Sequence, residues 1–247
     1  MKPVFTYTKG MLPVSTSYCP GCTHGIAHRI IMEVLEEKGK LGETIGVAPI
    51  GCSILAHQFM GIDMIEAAHG RAPAVASGIR RAQPDKLVFT YQGDGDLASI
   101  GTAEIVHAAH RGEKFCTFFI NNAIYGMTGG QMAPTTLIGQ RSTTSQEGRT
   151  VEQAGRPIRI SEMLSTIDGA VYIERVALDT PAHVRAAKKA VAKAFEVQEK
   201  KQGFAIVEFL STCPTNWGLT PPKALKWLAE NMIPYYPLGV FRTPEEK

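Results

Sequence analysis

Two periods of apolar spacing organise the chain. In residues 25–38, Ile26, Ile30, Ile31, Val34 and Leu35 recur every three or four positions, which predicts a helix with one buried stripe, and Gly39 stands where that helix should stop. Residues 73–81 predict a small-residue helix able to pack close to a sheet, and residues 102–111 and 182–199 predict two more helices. Between them lie short runs at 44–50, 86–91, 115–120, 171–176 and 204–210 that are mostly apolar and β-branched or aromatic. Such runs are buried strands.

Strands alternating with helices make βαβ units, so the expected fold is α/β, a parallel sheet with helices on both faces. Its crossovers should be right-handed and its ligand site should lie at the carboxyl ends of the strands. Residues 1–18, with Pro3, Gly10 and Pro13, predict an extended arm, and residues 221–247 a short helix followed by a C-terminal extension. Residues 123–156 are rich in Gly, Thr, Gln and Pro and too long for a plain connector, the mark of a functional or mobile loop. Neither a repeat nor a linker interrupts residues 1–247, which predict one domain.

Composition narrows the function. At 247 residues, 44% hydrophobic and 20% charged, the chain can bury a core without disulfide or metal staples. A net charge of +3, with basic residues spread along the sequence, argues against nucleic acid. No apolar run reaches membrane-spanning length and Met1-Lys2-Pro3-Val4-Phe5 is no secretory signal, so the expectation is a cytoplasmic protein with no membrane contact. An odd number of cysteines, five, then points to metal or redox chemistry rather than to a disulfide framework.

Gly93-Asp94-Gly95-Asp96 follows one predicted strand and Asn121-Asn122 ends the next, with Asp94 and Asn122 28 positions apart. Each fragment alone could be a strand-end turn. Around a single βαβ unit they bring a carboxylate and an amide to one sheet edge, where they and a backbone carbonyl can complete the oxygen shell of Mg2+ on a phosphate ligand. The glycines let the backbone approach phosphate oxygens, and the start of the following helix favours an anion.

Cys19 and Cys22 form C-x-x-C in a Pro-Gly loop, Cys52 follows Ile50-Gly51, and Cys213 precedes Pro214. Four loop thiolates suit zinc or a 4Fe-4S cluster; a single knuckle plus two distant cysteines favours iron and sulfur, because zinc sites more often pair two knuckles. A thioredoxin-like redox pair would leave two cysteines unexplained. Cys116 lies within an apolar strand and is expected to be a core thiol.

Together these segments resemble the β subunits of 2-oxoacid:ferredoxin oxidoreductases, within the thiamine-diphosphate superfamily whose fingerprint is GDG followed by NN. The matching stretches are CPGCTHG at 19, IGCS at 50, HGRAPAVASGI at 69, GDGDLASIG at 93, NNAIYGMTGGQMAPTT at 121 and CPTNWG at 213. The resemblance implies a thiamine-diphosphate-binding (PP-type) fold. It implies Mg2+ ligation by Asp94, Asn122 and the Ile124 carbonyl, and a 4Fe-4S cluster on Cys19, Cys22, Cys52 and Cys213. Gly51, Cys52, Ser53, His69, Arg71, Gly93, Gly95, Asp96, Met127 and Thr128 should contact or flank the cofactor. An arginine such as Arg71 can pair with phosphate, and His69 can donate to one. His24, His28, His57, His107, His110 and His183 have no such support and are expected to be structural.

The reaction implied is CoA-dependent oxidative decarboxylation of a 2-oxo acid, with thiamine diphosphate as electron sink and the cluster passing electrons to ferredoxin. The activating glutamate of the superfamily is expected on a partner α subunit, since Glu66 and Glu104 do not match its position. A γ subunit or domain and a small ferredoxin-like subunit complete the implied assembly. Gly129 stands where relatives that accept a second carboxylate carry lysine. Branched-chain 2-oxo acids and 2-oxoglutarate are therefore level expectations, with pyruvate third. The competing readings are a non-redox thiamine decarboxylase or synthase half with a zinc or empty cysteine site, and a non-catalytic nucleotide-binding module.

Overall fold

A computed structural model describes residues 6–244. The first residues of the expected arm, 1–5, and the end of the expected extension, 245–247, lie outside them. Up to the C-x-x-C loop the chain is irregular, tied at Met11 by a bridge to Met60. Helix α1 (His24–Glu37) follows, with Ala27, Ile30, Ile31, Val34 and Leu35 buried. It ends at Gly39, whose φ of 66° permits Lys40 N–H to reach back to the Leu35 carbonyl at 2.8 Å, a left-handed helix stop.

Strands β1 (Thr44–Ala48), β2 (Asp63–Glu66), β3 (Leu87–Gly93), β4 (Cys116–Asn121), β5 (Ala170–Ala177), β6 (Phe204–Leu210) and β7 (Gly239–Arg242) form one sheet in the order β2-β1-β3-β4-β6-β5-β7. Every pairing is parallel except the β7 edge, which runs antiparallel to β5. Side chains alternate between two apolar layers. Phe89, Tyr91, Phe118, Ile120, Val207 and Phe209 pack with α1 and α6 (Pro181–Glu199), while Val88, Phe119, Phe204 and Ile206 pack with α2 (Ala72–Ala82), α3 (Thr102–His110) and α5 (Ile160–Ser165). The expected parallel sheet with helices on both faces is thus present.

Several elements were not anticipated, among them β2, β7 and α5. In β2 the sequence DMIE has no continuous apolar run, and three of its four residues are exposed, so it is held by the ladder to β1 and by Met64, which packs against the core. β7 is a four-residue edge strand folded back by the C-terminal segment. α5 belongs to the stretch after the Gly/Thr-rich loop, which itself is held by the buried Arg149: its guanidinium donates to the carbonyls of Ala133, Pro134, Thr136, Ala154 and Gly155. One cation thereby satisfies backbone groups that no ladder reaches, and a short helix, α4 (Val151–Ala154), is capped within the loop by the Thr150 side chain.

The carboxyl ends of β3, β4 and β6 are neighbours, with Gly93 opposite Ile120 and Asn121 opposite Leu210. The loops after β1, β3, β4 and β6 therefore emerge at one edge. The C-x-x-C loop joins them because Thr212 Oγ1 donates to the Gly21 carbonyl at 2.7 Å and the Thr23 and Ser211 hydroxyls share a 2.7 Å bond. Among the described residues no helix is long and apolar enough to cross a membrane.

Candidate functional site

These loops enclose a cleft of ≈ 290 Å³. Asp94, just past the end of β3, is buried. Its Oδ2 accepts from the Thr135 hydroxyl at 2.8 Å and from Ile124 N–H at 3.1 Å, and its Oδ1 from Gly95 N–H at 2.9 Å. Burial outweighs these three bonds and pushes the carboxyl up to about 7. The Asn122 amide points into the same space, one of its terminal atoms 2.8 Å from the Ile124 carbonyl oxygen and 3.3 Å from Asp94 Oδ2. With nitrogen there, the amide donates to both. With oxygen there, three oxygens converge, an arrangement favourable only around a cation, so the donor set fits a hard divalent ion.

Asp96 begins a π-helical turn (Asp96–Ile100) that leads into α3. Its carboxylate accepts from Ile50 N–H at 3.3 Å, Gly70 N–H at 2.9 Å, His69 Nδ1 at 2.6 Å and Gln92 Nε2 at 2.7 Å. A carboxylate can only accept, so His69 carries its proton on Nδ1 and keeps Nε2 for other partners. Four donors from three segments, the loop after β1, the 69–70 turn and β3, make Asp96 the tie that fixes the cleft wall. Gly70 and Gly101 make this possible by close approach, since a Cβ on Gly70 would lie 2.7 Å from Gly101 N.

Beside the cleft the four loop cysteines come near one another. Gly126 is wedged between two of them: a Cβ there would meet Cys52 Sγ at 3.0 Å and Cys213 Sγ at 3.5 Å. Burial first, and then the charges of Cys213 and Cys19 together with Cys52 for Cys22 and Asp94 for Cys52, push Cys22 and Cys52 up to about 12. A cationic iron–sulfur group would reverse that cost by taking the thiols as thiolates, and the glycine leaves it room, so this donor set fits a cluster. Cys116 is fully buried in β4, away from this group, as expected of a core thiol.

Residues 49–209 match the family described as thiamine pyrophosphate enzyme, C-terminal TPP binding domain. The 2-oxoglutarate synthase subunit KorB of Archaeoglobus fulgidus is 37% identical over 221 residues, covering 90% of this chain and 78% of its own length. The chain belongs to the 2-oxoacid:ferredoxin oxidoreductase family. The ketoisovalerate oxidoreductase subunit VorA of Methanothermobacter thermautotrophicus is 46% identical over 239 residues, covering 97% of this chain and 50% of the relative; the chain thus spans about half the length of that protein. Among solved structures, a 2-oxoglutarate:ferredoxin oxidoreductase from Magnetococcus marinus with 2-oxoglutarate, coenzyme A and succinyl-CoA bound superposes with a TM-score of 0.78 at 25% identity, over 99% of this chain and 87% of that one.

Within this member of the family, Gly51, Cys52, Ser53, His69, Gly93, Gly95, Met127 and Thr128 line the cleft with Asp94, Asp96, Asn122 and Ile124. Arg71 does not. Its guanidinium pairs with Glu104 of α3, where the Gly70–Gly101 contact lays the 69–71 turn against the start of that helix. Glu66 lies on the exposed edge strand, and neither glutamate lines the cavity.

His24, expected to be structural, also lines the cleft. It stacks on Tyr18 at 4.7 Å between ring centroids and bonds the Tyr91 hydroxyl at 2.8 Å. Complete burial lowers it to about 4, so the ring is neutral at ordinary pH. Only its position two residues after Cys22 hints at this. Also unanticipated are Thr135, which bonds Asp94, and the pair Asn216 and Trp217: Asn216 donates to the Gly126 carbonyl at 2.9 Å, and Trp217 Nε1 to the Asn122 carbonyl at 3.2 Å.

Proposed function

We propose that this chain is the thiamine-diphosphate-binding subunit of an enzyme that oxidatively decarboxylates a 2-oxo acid to an acyl-CoA and CO2, with ferredoxin as electron acceptor. The observation that carries the proposal is adjacency: Cys52 and Gly126 line the same cleft as Asp94, and a Cβ on Gly126 would meet both Cys52 Sγ and Cys213 Sγ, so a thiol group able to hold 4Fe-4S adjoins an oxygen site able to hold Mg2+. Bound there, thiamine diphosphate supplies an electron sink for loss of CO2, and a cluster on Cys19, Cys22, Cys52 and Cys213 supplies a one-electron relay.

The chain's own residues have distinct parts in this. Asp94, the Asn122 amide and the Ile124 carbonyl hold the cation that neutralises the diphosphate. Asp96 fixes the Ile50–Cys52 and His69–Gly70 walls, and Gly126 keeps the partition between cleft and thiols thin. Zinc fits less well, because zinc sites more often pair two C-x-x-C knuckles and this chain has one, at Cys19 and Cys22.

The cleft's carboxylates, Asp94 and Asp96, are both committed, so the acid that activates the aminopyrimidine comes from a partner α subunit. A γ subunit or domain and a small ferredoxin-like subunit complete the assembly. Among the described residues lining the cleft there is no Lys or Arg, and Met127 and Ile100 are half-exposed apolar groups at its mouth. This supports a branched-chain 2-oxo acid such as 3-methyl-2-oxobutanoate, the substrate class named in the ketoisovalerate relative. 2-Oxoglutarate, named in the second relative and the solved structure, would need a cation from the partner.

Purification of the complex without oxygen tests the reading. Brown protein with broad visible absorbance, bleached by dithionite, and about four iron per chain is expected. Colourless protein carrying about one zinc per chain would overturn it.

A further inference from the structure

Cys213 opens a short helix, α7 (Pro214–Trp217), with Pro214 in its first turn and Trp217 N–H bonded to the Cys213 carbonyl at 3.0 Å. Three residues after the cysteine, the Asn216 side chain turns back over it. Its Nδ2 donates to the Gly126 carbonyl at 2.9 Å and lies 3.3 Å from Cys213 Sγ. The orientation of the amide is fixed by these neighbours. Swapping its ends would set its oxygen against the Gly126 carbonyl oxygen, which is repulsive, so nitrogen faces both Gly126 and the sulfur.

The amide is also confined on its other side. Gly130 has a φ of 85°, and a Cβ there would lie 3.0 Å from Asn216 Oδ1 and 3.1 Å from Asn216 Cβ. A Cβ on Gly126 would lie 3.7 Å from Asn216 Nδ2. The side chain is thus held between two glycines of the Asn122–Gln131 loop, with one N–H aimed at a sulfur.

The geometry points to Asn216 as a positioning residue that sets the reduction potential of the group held by Cys213, an inference that rests on the cluster reading above. An N–H directed at a ligating sulfur stabilises the more negative, reduced state. On reduction the cluster gains one electron and no proton, so the donor raises the potential without making it depend on a titrating group. Because the same amide grips the Gly126 carbonyl, Asn216 also couples the sulfur to the loop that bears Asn122 and Ile124. The Asn216 bond is to the sulfur, not to substrate or thiamine, so its signature is the potential itself.

An EPR-monitored redox titration of the anaerobically purified complex tests this, comparing wild type with Asn216→Asp, Asn216→Leu and, as control, Thr215→Ala at the exposed neighbouring position. Both Asn216 variants should keep wild-type iron and titrate at a more negative potential, the Asp variant furthest because it adds charge while keeping the shape of the amide. Thr215→Ala should titrate with wild type. A wild-type potential in either iron-loaded Asn216 variant overturns the assignment, and so does loss of iron from both, which would make Asn216 a structural clamp. Should the Leu variant alone lose iron, the Asp variant decides. Absence of iron and sulfide from the wild type would sink the cluster reading itself.

Discussion

At the residue scale, Asp94 shows most directly how position creates chemistry. Its carboxyl rises from an ordinary 3.8 to about 7 because it is buried, so between those values the folded chain binds a proton that the unfolded chain has released. The sign follows: apo stability falls as pH rises from about 4 to 7, by about 4 kcal/mol at about 1.4 kcal/mol per unit. Above 7 the buried carboxylate is charged and a cation offsets that cost; below 7 the cation must displace a proton. The melting-temperature increase given by Mg2+ with thiamine diphosphate should accordingly be larger at pH 8 than at pH 6, with affinity weakening about tenfold per unit below 7. Calorimetry over that range checks it, with Asn in place of Asp94 expected to abolish the increase. A pH-independent increase, or one that survives Asp94→Asn, would refute the role.

The same residue was legible in the sequence because the spacing of Asp94 and Asn122 around one βαβ unit carries three-dimensional information. His24 and Arg71 were not legible, for opposite reasons. His24 faces the cleft because Tyr18 and Tyr91, from two distant segments, stack on it and bond it, and nothing local encodes those contacts. Arg71 has the right chemistry for phosphate, but Glu104 faces it across a helix-to-turn contact set by two glycines. Residue type states what a side chain can do, and packing decides which partner it meets.

At the scale of elements, strands and helices with strong periodicity stood out, and β6 falls on residues 204–210 as its apolar run implies. β2 and β7 were missed because an edge strand needs no apolar stripe on both faces; its ladder partner supplies the order. The loops matter more for function. The tie from α7 to the cation loop, Trp217 Nε1 to the Asn122 carbonyl, joins the strand end after β6 to that after β4, and Trp217 is backed by Trp227 of α8 (Pro221–Trp227) at 4.4 Å. Loss of one such bond costs about 1 kcal/mol, so Trp217→Phe should weaken Mg2+ binding about fivefold while leaving far-UV circular dichroism unchanged. Titration of the apo protein with Mg2+ in excess thiamine diphosphate reads this. Unchanged affinity would mean that the loop holds its shape without the indole.

At the scale of the whole molecule, the sheet delivers every feature of the cleft to one edge, and the cleft is still incomplete. Asp94 is engaged by Thr135, Ile124 and Gly95 and Asp96 by four donors, while Glu104 faces Arg71, so among the described residues lining the cavity no carboxylate is left uncommitted. The chain alone should therefore bind thiamine diphosphate with Mg2+ yet turn over no 2-oxo acid. Adding a partner that contributes the missing acid should restore CoA-dependent reduction of ferredoxin or of a viologen dye. Binding by isothermal calorimetry and turnover by dye reduction separate the two halves of the claim. Turnover by the isolated chain would show that the acid lies within it, in which case the partition of labour drawn from Asp94, Asp96 and Glu104 is wrong. Failure to bind the cofactor until the partner is present would instead mean that the oxygen site is assembled, and not only completed, at the interface.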